Sequence, residues 1–320
     1  MKKRALIVDG LNAYYRAYIC DPSVSSQGQP IGGIKGFIKI LQRMCREVKP
    51  DRIVVCWDGP GGSRKRRSQN SAYKSGRKPI KLNRNIKVLS ADEELQNKVW
   101  QQTTLIELLN LMPVTQLMFP EVEADDIISC VAQSPILSGW QKIIVSSDKD
   151  FIQLCSDDVI LYRPSQKQIL NTPRILDTYG IHPTNFALAR AIVGDPSDSI
   201  KGVPGIGLAT VAKRLSFLKE DKSFTFGDIY NHCEKVDKKL KAHTAILEHK
   251  STIESNYRLM QLYVPSVSVQ SRKVVNYTLE NSDLSFNRTA IMKSMHEVGF
   301  GELNWGDLST TLRRISVEKK

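Results

Sequence analysis

Four carboxylates crowd into residues 121–128 (EVEADDII), where Glu121, Glu123, Asp125 and Asp126 follow one another in a chain whose formal net charge is +13. With this stretch read as a helix start, Ala124, Ile127, Ile128 and Val131 fall at i, i+3, i+4 and i+7. They form an inward stripe and leave Glu123 and Asp126 together on another face. Two carboxylates aimed at one spot raise each other's pKa unless a cation offsets them, and hard oxygen donors of this kind suit Mg²⁺ or Mn²⁺. Acids also favour helix N-termini for the dipole alone, so the choice between metal site and cap rests on the acids elsewhere.

Three further acids share one kind of position. The apolar run 5–8 leads into Asp9, the run 53–57 into Asp58, and the strand candidate 142–146 into Asp148. Wholly apolar runs of this length read as strands buried on both faces. Residues 115–119 and 159–162 are further strand candidates. Ile34, Phe37, Ile38, Leu41, Cys45 and Val48 keep helical spacing up to Pro50, after a Gly- and Ser-rich stretch read as loop; Leu105, Leu108, Leu109 and Met112 mark a helix ended by Pro113. Strands alternating with helices predict a parallel, doubly wound sheet, whose ligands bind outside the strands' carboxyl ends. Asp9, Asp58 and Asp148 are expected to converge there, beside the acidic helix start.

Residues 61–87 hold Arg64, Arg66, Arg67, Lys74, Arg77, Lys78 and further cations without one Asp or Glu, which reads as a solvated basic loop or a clamp for phosphates. Tyr73 offers a stacking face for a base. Further on, Asp195 and Asp198 precede GVPGIG at 202–207 and a helix with Lys213 and Arg214 on its outer side. Gly205 and Gly207 lie in a turn whose backbone N–H groups suit a phosphate. At 320 residues and 41% hydrophobic content, the chain folds as one large domain or two smaller ones, and its basic balance points to a polyanionic partner. Six cysteines without a CxxC pair read as reduced thiols. No run suits a signal peptide or a membrane span. A cytoplasmic protein without membrane contact is expected.

Together, IVDGLN at 7–12, WDGP at 57–60, YKSGR at 73–77, VEADD, SSDKDFIQL and GDPSDSIKGVPGIG closely resemble the 5' nuclease (flap endonuclease) family, over about residues 4–262. The resemblance implies an α/β fold: a PIN-like parallel sheet flanked by helices over 1–172, with a basic helical arch over about 61–90. A mostly helical helix-three-turn-helix region for duplex DNA would follow over 173–262, and 263–320 matches nothing in the family. It implies that Asp9, Asp58, Glu123, Asp125, Asp126, Asp148, Asp150, Asp195 and Asp198 hold two divalent ions, Mg²⁺ or Mn²⁺, directly or through water. It implies further that Lys74 and Arg66 contact the scissile phosphate, and that the carbonyls of Val203 and Ile206 hold a K⁺ ion at the hairpin. Arg64, Arg67, Tyr73, Arg77, Lys78, Gly205, Gly207, Lys213 and Arg214 would bind DNA. The expected activity is structure-specific 5'-3' exonuclease and flap endonuclease cleavage of branched or nicked DNA or RNA–DNA hybrid by a free-standing monomer, with 263–320 open to a replication-protein contact. Lys65 stands where the family usually has an aromatic residue, and Ser147 where it has glycine. A PIN-type ribonuclease would lack the hairpin and the long basic segment; a non-catalytic branched-DNA-binding protein would lack carboxylates, and none is missing.

Overall fold

The computed structural model describes residues 2–77, 79–83, 85–86, 89–236, 240–301 and 305–317. Its centre is a six-stranded sheet of β1 (Arg4–Asp9), β2 (Arg52–Cys56), β3 (Thr115–Leu117), β4 (Gln141–Val145), β5 (Val159–Arg163) and β6 (Gln168–Leu170). The order is β3-β2-β1-β4-β5-β6, parallel throughout except for β6, which returns antiparallel on β5. The apolar strands are sandwiched as their composition demands: Ala5 and Ile7 face one core, Leu6 and Val8 the other. The chain winds outward from β1 in both directions, which opens a crevice at the carboxyl ends of β1 and β4. Asp9 lies opposite Cys56, Val8 opposite Val145, and Val145 opposite Tyr162, so Asp9, Ser146 and Arg163 emerge at one level.

Helices α1 (Gly10–Cys20), α2 (Gly32–Val48), α3 (Arg64–Gln69), α4 (Ala91–Asn110) and α5 (Ala124–Ala132) belong to the first half. The stretch after Asp9, read as loop, is a correction: α1 starts at once, buries Ala13, Tyr14, Ala17 and Tyr18, and is capped by Asp9 itself. A run of GLN after a strand hides this start, because the cap is also the strand's last residue. Helix α4 begins far upstream of its leucine pattern, at a capping box of Ser90 and Glu93.

The second half contributes α6 (Thr172–Tyr179), α7 (Pro183–Val193), the small hairpin of β7 (Gly194–Asp195) and β8 (Ile200–Lys201), α8 (Leu208–Arg214), α9 (Phe226–Lys235), α10 (Lys241–Glu248) and α11 (Lys250–Met260). After these come α12 (Val269–Asn281), α13 (Arg288–Glu297) and α14 (Gly306–Val317). One continuous apolar core joins Ile127, Phe151 and Leu170 to Phe186, Val211, Leu262 and Leu279, so neither 172 nor 262 marks a break in packing. The six cysteines are unpaired, with only Cys20 exposed, and no described helix is long and apolar enough to cross a membrane.

Candidate active site

Each acid of the site is held by the element that delivers it. Asp9 ends β1, accepts the Asn12 amide at 3.2 Å and takes the Ser146 hydroxyl at 2.8 Å. Asp58, two residues beyond β2, accepts the Ala124 amide at the start of α5 at 3.1 Å. Asp148 follows β4; its own amide donates to Ser146 Oγ at 3.1 Å, and its carboxylate accepts the Asp150 amide at 2.8 Å. Asp195 is fixed by the Ser197 amide and hydroxyl at 2.8 and 2.7 Å. Asp9, Asp58, Asp125, Asp148 and Asp195 line one cleft of about 810 Å³, together with Lys74, Arg77, Lys149, Arg163 and Arg190.

Burial and mutual repulsion act on these acids in concert. Burial, and then Asp58, push the Asp9 carboxyl up to about 7. Asp58 and Asp148 are raised, chiefly by burial; Asp125 rises well above the usual range through burial and then the charge of Asp148. Asp150 is pushed up to about 7 by burial and Asp148, against the pull of Arg190. Such carboxyls resist shedding their protons until a cation arrives. An all-carboxylate donor set of this kind suits hard divalent ions. Among the described residues no group of three acids, histidines or cysteines is gathered closely enough around one point to serve as a coordination sphere as it stands. The acids face a common space rather than a single point.

Two arginines organise the rest. Arg190 on α7 bridges Asp150 at 2.9 Å and Asp195 at 2.6 Å and donates to the Gly194 carbonyl at 3.0 Å. Burial would raise Asp195, yet the Ser197 donors and Arg190 hold it below the usual carboxylate range. Sequence reasoning passed over Arg190; its one signal was a lone cation in the apolar run FALARAIV. Arg66, expected at the scissile phosphate, is instead buried beneath α5. It pairs with Glu123, meets Asp126 at 2.9 Å and donates to the Leu259 carbonyl at 2.9 Å. Glu123 also accepts Tyr73 Oη at 3.1 Å and Lys74 Nζ at 2.6 Å. Burial alone would raise Glu123, but Arg66 and Lys74 hold it below its ordinary value. Asp126 accepts the Ser266 amide at 2.7 Å as well. Glu123 and Asp126 do point at one spot, and in the structure that spot is the Arg66 guanidinium rather than the cleft.

The basic segment divides accordingly. Tyr73, expected as a stacking face, is 3% exposed and cannot offer its ring to a base. Lys74 reaches the cleft from a left-handed backbone (φ 59°), its amide bonded to the Asp198 carbonyl at 2.9 Å. That conformation is uncommon for a residue with a side chain and is tolerated here because its neighbours hold it. Arg77 grips Asp198 at 2.9 and 2.5 Å. Arg64 is exposed and pairs with Glu121 at 2.9 Å, Arg67 is exposed, and Lys78 lies outside the described residues. At the hairpin, Val203 and Ile206 sink their side chains into the core, and the Val203 carbonyl accepts the Ile206 amide at 3.2 Å. A Cβ on Gly205 or Gly207 would meet no atom within 4 Å, so the backbone there is open to approach. Lys213 is exposed and Arg214 half-buried at the end of α8.

A family model described as the 5'-3' exonuclease, N-terminal resolvase-like domain matches residues 4–180. The 5'-3' exonuclease of Buchnera aphidicola subsp. Schizaphis graminum is 34% identical over 238 residues, which cover 73% of this chain and 76% of that protein. A thermostable DNA polymerase I of Thermus caldophilus is 32% identical over 252 residues, 76% of this chain but only 27% of the polymerase. Among solved structures, a bacteriophage T5 flap endonuclease in complex with DNA and metal ions superposes with a TM-score of 0.64 over 93% of this chain and 100% of that one. At 16% identity that likeness is one of fold.

Proposed function

The chain belongs to the 5'-3' exonuclease family, and on that premise we propose that it is a structure-specific 5' nuclease that cuts flaps, nicked duplexes or RNA-primed ends with two divalent ions, Mg²⁺ or Mn²⁺. The observation that carries this reading is the meeting of Asp9, Asp58, Asp125, Asp148 and Asp195, from separate segments, in one cleft faced by Lys74 and Arg77. Those acids would hold the ions, with Asp150 and Asp195 oriented by Arg190. Bound there, divalent ions supply a water of lowered pKa and positive charge for the leaving oxygen. The chain's own part is to position the phosphate. Lys74 and Arg77 lie beside the acids to take its oxygens, and the Gly205–Gly207 turn with Lys213 and Arg214 would hold the duplex by its phosphates. A K⁺ ion at the carbonyls of Val203 and Ile206 would neutralise the same contact. The products are a 5'-phosphate and a 3'-hydroxyl.

Digestion of labelled flap, nicked, hybrid and single-stranded RNA substrates with Mg²⁺ tests the proposal directly. Cleavage of branched or nicked DNA is expected, and cleavage confined to single-stranded RNA would refute it. Asp148→Asn should abolish cutting while flap binding in metal-free buffer persists, since it removes a cleft acid and leaves the cations in place.

A further inference from the structure

Among the described residues two cations of the cleft, Lys149 and Arg163, have no carboxylate partner, and of the two only Arg163 is buried. Arg163 ends β5, level with Asp9 and Ser146, lines the cleft and is 8% exposed. Its Nη2 donates to the Ser147 carbonyl at 3.2 Å, and its Nε is buried with no acceptor among the described residues. The two other buried arginines of this region differ, because Arg66 sits against Glu123 and Asp126 and Arg190 against Asp150 and Asp195. A desolvated guanidinium with one neutral partner is costly, and an anion that completes it removes the cost.

The sheet fixes where that anion would lie. Neighbouring strands stand about 4.8 Å apart, and Arg163 on β5 is two strands from Asp9 on β1. The separation of about 10 Å by that spacing sets Arg163 away from Asp9, on the side of the Ser147–Asp148 turn. Lys74 and Arg77 come from the other direction, over Glu123 and Asp198. Lys149, between Asp148 and Asp150 and two residues beyond Ser147, lines the same cleft. Resting on the nuclease reading, we propose that Arg163, with Lys149 beside it, forms a phosphate subsite that takes the phosphodiester next to the scissile one in the strand being cut. The planar fork of an arginine fits two phosphate oxygens, and the Ser147 carbonyl already fixes one arm of it.

The test measures binding of the full chain to flap oligonucleotides in metal-free buffer, where no cleavage occurs. Each oligonucleotide carries one uncharged methylphosphonate linkage, placed in turn on either side of the cleavage position. Wild-type protein should lose about tenfold in affinity at one linkage adjacent to that position, the scale of one charge-assisted contact. Arg163→Gln should lose a similar factor on the fully charged flap and nothing more at that linkage, and Arg163→Lys should fall between. Equal losses by Arg163→Gln on every oligonucleotide would overturn the subsite and leave the residue as a brace for the Ser147 carbonyl. If Arg163→Gln melts too low to be measured, the wild-type series decides alone, and no loss at any adjacent linkage overturns the proposal. A wild-type chain that binds no flap at all would refute the nuclease reading, and the subsite with it.

Discussion

At the level of single residues, Lys74 separates chemistry from general attraction. It lines the cleft with its Nζ 2.6 Å from Glu123, whereas Lys81 in the same basic segment is exposed. Lys74→Ala should slow single-turnover flap cleavage roughly a hundredfold at nearly unchanged affinity, the scale of a contact made as charge develops. Lys81→Ala should change neither, and equal small effects from both would return Lys74 to the surface charge. Arg66 has a different role, since Arg66→Met leaves Asp126 buried without a counter-charge and Glu123 with Lys74 alone. A loss of about 3–5 kcal/mol in denaturant unfolding is expected, and a loss within experimental error would contradict the pairing. Asp9 links pH to stability. Its folded pKa stands above its ordinary value of 3.8, at about 7. Its contribution is therefore intact below about pH 4 and lost as pH rises through 7. In the absence of metal, Asp9→Asn should melt with the wild type near pH 4 and above it at pH 7; a gap already present at pH 4 would count against this. The cleft aspartates were legible because a buried strand that ends in an acid is visible in composition. Arg66 and Tyr73 were not, because nothing in a basic run tells which members meet a carboxylate and a carbonyl, here Leu259, far along the chain.

At the level of elements, four of the strands were readable to within about a residue, because a strand buried on both faces has few polar positions to blur it, whereas the one expected over 115–119 ends at Leu117. Helix α1 escaped because its first turn reuses the last residue of β1, and β6 because three residues carry no period. The hairpin before α8 was legible as a turn, and the structure adds what makes it testable. Gly205 has φ 74°, so any side chain there strains the backbone, whereas Gly207 is extended (φ −108°, ψ 173°) and open. Gly207→Val should therefore keep the fold and its melting temperature but weaken duplex binding by covering the backbone donors, with little change for a short single strand. Equal weakening on both substrates, or none on the duplex, would show that the turn does not meet phosphates.

At the level of the whole molecule, the open question is whether residues 263–320 are an appended segment or part of the fold. The sequence left them without a role, because α12 to α14 have short, mixed patterns that a pass along the chain cannot assign to a partner. In the structure Val275 and Leu279 enter one core, and Leu284, Ile291, Met295, Phe300, Leu308, Leu312 and Ile315 enter the other, where α14 packs on α2. Arg314 donates to the Lys49 carbonyl at 2.7 Å, and Lys35 to that of Phe300 at 3.1 Å. Each large apolar side chain fully buried contributes about 1.5–3 kcal/mol, whereas a domain's net stability is only about 5–15 kcal/mol. Removing the segment thus takes away more than the molecule holds in reserve, even though every cleft residue precedes it. A chain ending at 262 should show no cooperative thermal transition, and Leu308→Ala or Leu312→Ala in the full chain should each cost about 2–5 kcal/mol in denaturant unfolding. A truncated chain that melts cooperatively within a few degrees of the full one and binds flaps as tightly would show that these helices are carried by the fold rather than part of it.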